Sequence, residues 1–218
     1  MKALGVNRNG MLLVFLAHIH PPKIPKDAAG LWPTLCLGGL SFGFFVVLIL
    51  TGFLLMPFYK PGSPSEAFGS IVTIEEALAY GSFLRSLHFF AGQLMVIALV
   101  GHTLRVVASG AFAPPRRGNW LIGMGLLVLT FFLDFSGYLL IGDERAMDAS
   151  RVAFGLLGEI PVLGGIFKTL VFGADPVGQG AGLRLYALHC GVLPFLALGL
   201  CAWHFYRIRR DGGVTQGL

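Results

Sequence analysis

A helix needs about 20 consecutive apolar residues to cross the roughly 30 Å hydrocarbon core of a bilayer, and this 218-residue chain holds four stretches of that length, each bounded by charge. The first lies in the charge-free run 28–59, with its apolar centre at 35–58. The second is fenced by Arg85 and Arg105, the third runs over 118–142 with one charge at Asp134, and the fourth is fenced by Arg184 and Arg207. Backbone in hydrocarbon has no water to bond, so each stretch must close its hydrogen bonds internally as a helix. The composition agrees: 55% of residues are hydrophobic and only 12% charged, against about one-quarter charged in soluble domains. The expected fold class is an all-α integral membrane protein, a four-transmembrane-helix bundle with short interfacial helices. It forms one domain over 1–218, with 1–30 as a cytoplasmic-side interfacial segment, 31–208 as the bundle and 209–218 as a tail.

Two further apolar segments do not qualify as spans. The stretch 152–174 is interrupted by Glu159, Pro161 and Lys168, which reads as interfacial helices lying on the membrane surface. The stretch 11–20 is short and ends at Pro21-Pro22; no small-residue cleavage site follows it, so it is expected to stay attached as an interfacial segment. Charge sets the orientation. Lys2, Arg8, Lys23, Lys26, Arg105, Arg116, Arg117, Arg207, Arg209 and Arg210, against Asp27 and Asp211, gather at the two termini and the loop between the second and third spans. The positive-inside rule then places both termini on the cytoplasmic, negative side of an energy-transducing membrane. The basic balance reflects that orientation and implies no nucleic acid. Cys36, Cys190 and Cys201 form no Cys-x-x-Cys pair, and their odd number argues against a disulfide framework.

Four of the six histidines fall inside spans: His88 and His102 on the second, His189 and His204 on the fourth. Ionisable groups at membrane depth are costly and mark function by default. Their spacings of fourteen and fifteen residues each come to roughly four helical turns, so each pair shares a face and is separated by about 21 Å along the axis. The second and fourth spans run in the same direction, since one span intervenes. His88 is therefore expected to face His189 near the outer surface, and His102 to face His204 near the inner one. Two opposed neutral imidazoles supply both axial ligands of a six-coordinate haem iron, an electron-transfer site with no open position for oxygen. The competing readings are polar core residues bonded to backbone carbonyls, or a proton path in a transporter. Zinc fits less well, because two imidazoles with no thiolate or carboxylate fall short of a closed tetrahedral site.

The segments Leu35-Cys36-Leu37-Gly38-Gly39, Thr51-Gly52-Phe53, Arg85-Ser86-Leu87-His88, His102-Thr103-Leu104-Arg105, Ser136-Gly137-Tyr138, Ile160-Pro161-Val162-Leu163-Gly164, Val177-Gly178-Gln179, Arg184-Leu185-Tyr186-Ala187-Leu188-His189 and Leu193-Pro194 together resemble the cytochrome b family, and within it the short form, cytochrome b6, over nearly the whole chain. The resemblance implies two b-type haems, the outer held by His88 with His189 and the inner by His102 with His204. It also implies that Arg85, Arg184 and Arg209 meet haem propionates, where fork-shaped guanidinium pairing suits a carboxylate; the alternative for each is an interfacial arginine that snorkels. Gly38 and Gly52 on the first span, and Gly123 and Gly137 on the third, repeat the fourteen-residue interval. Glycine at haem depth removes a side chain that would meet the porphyrin, or else serves plain helix contact. Cys36 stands where the family's short form bonds a third haem through one thioether; its bland reading is a small apolar helix residue.

The implied activity is transmembrane electron transfer to or from a quinone, as the electron-transfer subunit of a quinol–cytochrome c or plastocyanin-type reductase that is not active alone. Implied partners are a subunit IV-like membrane protein, an iron–sulfur protein and/or a c-type cytochrome, in a dimeric complex within lipid. One departure stands out: after Gly137-Tyr138 the family continues Leu-Pro-Trp, whereas this chain reads Leu139-Leu140-Ile141-Gly142-Asp143-Glu144. The outer quinol-oxidation pocket is thereby placed in question, and two other classes stay open: a haem-bearing anchor of a hydrogenase or formate dehydrogenase type, and a non-redox proton-coupled transporter. Asp134 deep in the third span is a second departure, readable as a proton relay for quinone or as a contact with a neighbouring subunit. His18 and His20 are expected at the interface, and Cys190 and Cys201 as small residues beside His189 and His204.

Overall fold

A computed structural model of the chain describes residues 36–210. The segment 11–20, His18, His20 and the tail beyond Arg210 lie outside the described residues. Within them the chain is helical with connecting loops and no strand: α1 (Leu37–Leu55), α2 (Pro64–Glu76), α3 (Gly81–Ala108), α4 (Arg117–Leu139), α5 (Glu144–Gly158), α6 (Gly164–Val171) and α7 (Gln179–Arg210). Four of these, α1, α3, α4 and α7, with 19, 28, 23 and 32 residues, are long and apolar enough to cross a membrane. Their outward faces carry large apolar side chains such as Phe53, Ile97 and Phe195, 71%, 67% and 75% exposed, as expected where lipid is the neighbour.

The expected spans are present, but the charges that fence them do not mark the helix starts. The helix α3 begins four residues before Arg85, and α7 five residues before Arg184. Between α1 and α3 stands α2, which the apolar pattern does not announce because the loop is polar. Its own signal is a capping box: the Ser63 backbone N–H and hydroxyl both donate to Glu66 Oε2, at 2.8 and 2.7 Å, with Pro64 at the first helical position. These bonds, from the Ser63 hydroxyl first and its backbone amide second, hold the Glu66 carboxyl below its ordinary range.

The interfacial segment expected at 152–174 is two helices, α5 and α6, and begins earlier, at Glu144. Asp143 caps α5 by accepting the Ala146 amide at 2.8 Å, and the turn before it needs the left-handed backbone of Gly142, φ +71. The departure after Tyr138 thus has a structural use. Leu139 and Leu140 bury against Phe172, Ala181 and Leu185, fastening α5 and α6 to the end of the bundle, and Gly142-Asp143 turns the chain into α5. Tyr59 joins this cluster, stacked on Tyr186 at 5.6 Å and donating its hydroxyl to the Leu140 carbonyl at 2.8 Å; burial pushes its phenol well up.

The lowered Glu66 carboxyl gives a signed expectation. A carboxylate held below its unfolded value stabilises the fold above that value, and the contribution is lost as pH falls through the folded one. Replacing Ser63 with Ala should therefore lower amide protection in the first turn of α2 at neutral pH, measured by hydrogen exchange. The gap from the parent protein should narrow once Glu66 is protonated, leaving the part due to the Ser63 side chain's own bond to the helix backbone.

Candidate functional site

The four span histidines form two tiers. His88 and His189 face each other with ring centroids 6.2 Å apart and planes at 69°. His102 and His204 line one cavity of about 240 Å³ toward the other end of the bundle. Since 88 meets 189 and 102 shares its cavity with 204, α3 and α7 run parallel, as expected from the sequence.

The two histidine intervals differ by one residue, fourteen on α3 and fifteen on α7. On a regular helix fourteen residues fall about 40° short of four turns and fifteen run about 60° past them, which would turn one α7 histidine away from its partner. A widened π-helical turn at Leu188–Val192, in which the Leu193 amide bonds the Leu188 carbonyl, absorbs the extra residue. Pro194 follows directly, and its missing N–H and bulky ring disfavour a regular turn there.

Glycines flank both tiers. A Cβ at Gly52 would lie 3.2 Å from Cε1 of His88, and one at Gly137 only 2.8 Å from Cε1 of His189. In the second tier, a Cβ at Gly38 would stand 3.1 Å from Cε1 of His102 and one at Gly123 3.3 Å from Cε1 of His204. Each tier therefore reads glycine, histidine, histidine, glycine across α1, α3, α7 and α4. The contact that the structure places at each glycine is the imidazole itself, so these residues clear the ring before they clear anything bound to it.

The first tier also fixes its imidazoles by hydrogen bonds that the sequence reading did not identify. Thr51 Oγ1 donates to the Val47 carbonyl at 2.7 Å and lies 2.8 Å from His88 Nδ1. A hydroxyl has one proton, so with that proton spent on Val47 the oxygen accepts from Nδ1–H. Ser136 repeats the arrangement, donating to Leu133 O at 3.0 Å with its Oγ 3.0 Å from His189 Nδ1, which also lies 3.1 Å from the Leu133 carbonyl. The network assigns the proton of both rings to Nδ1 and leaves Nε2 as a bare lone pair, the form a metal takes. A signal for this was present: a hydroxyl residue precedes Gly52 and Gly137, whereas Leu37 and Ile122 precede Gly38 and Gly123. In the second tier, His204 Nδ1 lies near the Asn119 backbone but short of a hydrogen bond.

Between the tiers, Phe45, Met95, Leu129, Leu133 and Ala197 form a buried apolar layer. The arginines are placed at the ends. Arg85 forms an ion pair with Glu75 of α2, Arg184 donates to the Gly180 carbonyl at 3.0 Å, and Arg209 is exposed. The second-tier cavity is instead lined by Arg116, Asn119 and Trp120 at the start of α4, none of which the sequence reading singled out for it. Cys36 stands exposed immediately before α1, with φ 48, two residues from Gly38. Cys201 lines the second-tier cavity, and Cys190 sits in the π turn. Asp134 and Gln93 are exposed on the outer face of α4 and α3, and Gln93 Nε2 donates to Asp134 Oδ1 at 3.1 Å.

Four spans enclosing two tiers of paired histidines define a helical membrane protein with imidazoles gathered in its interior at two depths. The family model described as Cytochrome b/b6/petB matches residues 25–212, and the chain belongs to the cytochrome b family. Among its relatives, cytochrome b6 of Heliobacterium mobile is 39% identical over 177 residues, covering 81% of this chain and 83% of that protein. The menaquinol:cytochrome c reductase cytochrome b subunit of Geobacillus thermodenitrificans is 37% identical over 179 residues, covering 81% of this chain and 79% of that one. A chain of a solved hyperthermophilic respiratory Complex III superposes with a TM-score of 0.77 at 21% identity; the match covers 94% of this chain and 54% of that one, so this chain spans about half its length.

The glycine distances order a series of alanine substitutions. Gly137→Ala should be the most disruptive, lowering the thermal stability of the detergent-purified protein by about 1–3 kcal/mol, the usual cost of overfilling a packed site. Gly123→Ala should be the mildest of the four. Gly39→Ala, whose Cβ would meet nothing within 4 Å, should cost no stability and gain up to about 1 kcal/mol from the lost backbone freedom of a helical glycine.

Proposed function

We propose that this chain is the dihaem cytochrome b subunit of a membrane quinol/quinone oxidoreductase complex, carrying electrons across the bilayer between two bis-histidine haems and a quinone. The observation that carries this reading is the pair of glycine–histidine–histidine–glycine tiers. In the first tier the two imidazoles face each other with centroids 6.2 Å apart, and both would hold one haem iron between them. His88 with His189 would hold the outer haem, and His102 with His204 the inner one. Bound haem supplies reversible one-electron chemistry at a site closed to oxygen.

The protein's own part is positional. Thr51, Ser136 and the Leu133 carbonyl hold the Nδ1 protons of the first tier, raising the basicity of each Nε2 and keeping each ring turned toward its partner. The apolar layer of Phe45, Met95, Leu129, Leu133 and Ala197 keeps water from the space between tiers. With both termini on the negative side, a charge moved through a 100 mV potential exchanges about 2.3 kcal/mol with the membrane. Arg85, Arg184 and Arg209 are proposed to meet the haem carboxylates at the two boundaries, and Arg116, lining the second-tier cavity, joins them at the inner one. Cys36 is proposed to attach a third haem through a thioether beside that tier. The partners are the other subunits of the complex: an iron–sulfur protein or c-type cytochrome, and a membrane subunit completing any outer quinol pocket.

Redox-difference spectra with pyridine haemochrome quantification, before and after acid-acetone extraction, test this reading. Two extractable b haems with one retained on the polypeptide are expected. Loss of the retained haem in Cys36→Ser would assign it, two extractable haems alone would remove the Cys36 proposal, and a colourless protein would overturn the function.

Thr51→Val takes the acceptor from His88 Nδ1–H and should raise the midpoint potential of the outer haem, by roughly 60 mV for each tenfold loss of preference for the oxidised form. Ser136→Ala should shift it less, because the Leu133 carbonyl remains 3.1 Å from His189 Nδ1. Potentiometric titration of the two haems separates these outcomes; equal shifts at both haems would count against the assignment.

A further inference from the structure

Away from their charged ends, the outward faces of the spans are apolar among the described residues, with one interruption. Asp134 of α4 and Gln93 of α3 are exposed side by side, joined by the bond from Gln93 Nε2 to Asp134 Oδ1 at 3.1 Å. They lie well inside the hydrocarbon: Gln93 is five residues from His88, about 7.5 Å further in, and Asp134 three residues from Gly137, about 4.5 Å further in. Phe90 and Ile97 stand one turn to either side of Gln93, and Phe131 one turn from Asp134, all exposed. Headgroups do not reach this depth, and lipid tails offer no hydrogen bond. Gln93 is the hydrogen-bond partner of Asp134 among the described residues, and it is neutral, so it brings no charge to match an ionised carboxylate on this face.

We infer that the Gln93–Asp134 couple is the docking point for a transmembrane helix of another subunit, and that this helix presents a lysine or arginine at the same depth. The inference rests on the proposed role of the chain as one subunit of a membrane complex. Whatever covers the couple must satisfy its own backbone in hydrocarbon, which makes it a helix. We assign it a cation, because an opposite charge is the partner that holds a carboxylate ionised at this depth, where Gln93 supplies only a neutral donor. A second copy of this chain cannot supply one: no Lys or Arg lies between Leu37 and Leu55, between Arg85 and Arg105, between Gly118 and Gly142, or between Arg184 and Arg207. The apolar side chains around the couple then form the contact surface, with the ion pair setting register.

The test uses the intact complex, purified in mild detergent through a tag on this chain. A photo-crosslinking phenylalanine analogue at position 131 should capture a single membrane subunit, with the crosslinked peptide in an apolar span that contains Lys or Arg. Asp134→Leu and Asp134→Asn should each reduce that subunit at least tenfold in the purified complex, the second because it keeps the bond to Gln93 but removes the charge. The haem spectrum of this chain should not change in either variant. Full retention of every subunit in both variants, crosslinks confined to lipid, to quinone or to a second copy of this chain, or a captured helix without a cation would each overturn the inference. Absence of haem in the parent complex would strike the functional reading instead, so the two failures are distinguishable.

Discussion

An imidazole in hydrocarbon has two nitrogens to satisfy and no water with which to do it. In the first tier one nitrogen of each ring is satisfied from a neighbouring helix, by Thr51 from α1 and by Ser136 with the Leu133 carbonyl from α4. That arrangement dictates how closely the helices approach. For a hydroxyl to reach Nδ1, its helix must lie almost against the ring, and the residue beside it must then have no side chain. Thr51-Gly52 and Ser136-Gly137 meet both needs in two consecutive residues: the hydroxyl binds the ring that the glycine clears. What remains is Nε2, the nitrogen of each ring left without a proton. The pairing of α1 with α3 and of α4 with α7 follows from these contacts.

Much of this was legible from spacing. Four apolar stretches, two fourteen-residue glycine intervals and the matched histidines fixed the number of spans, their directions and which histidine meets which. The remainder was hidden for identifiable reasons. The helix α2 sits in a polar loop and is announced only by the reciprocal Ser63–Glu66 capping pattern, which apolar periodicity does not register. The roles of Thr51 and Ser136 depend on where each hydroxyl proton goes, and that is decided by backbone carbonyls one turn away. Arg116 reaches the second-tier cavity from the start of α4, although in the sequence it is only one of several basic residues in a loop. The fifteen-residue interval on α7 looked close enough to four turns to pass. Only the π turn shows that a correction was needed, with Pro194 as its local cause.

The two tiers are not equivalent. In the first, both imidazoles have an acceptor at Nδ1. The second opens into a cavity lined by Arg116, Asn119 and Trp120, and His204 Nδ1 falls short of a hydrogen bond. Imidazoles whose N–H is committed to an acceptor are better donors at the other nitrogen. A metal centre held by the first tier would thus be biased toward its oxidised state relative to one held by the second. In the dihaem carrier proposed for this chain, such a bias would favour electron movement from the first tier to the second.

That bias survives only if no stray charge lies between the tiers, because a low-dielectric interior transmits a charge strongly to both. The layer there is Phe45, Met95, Leu129, Leu133 and Ala197. Asp134 follows directly on Leu133, one of these buried residues, yet its carboxylate is on the outer face and bonded to Gln93. A rotation of α4 by about one residue, 100°, would bring it inside. The register of α4 is held against that rotation by the Ser136 bond to His189 and by the clearance at Gly123 and Gly137. The contacts that orient the histidines therefore also keep the one deep carboxylate on the side where a partner helix can neutralise it.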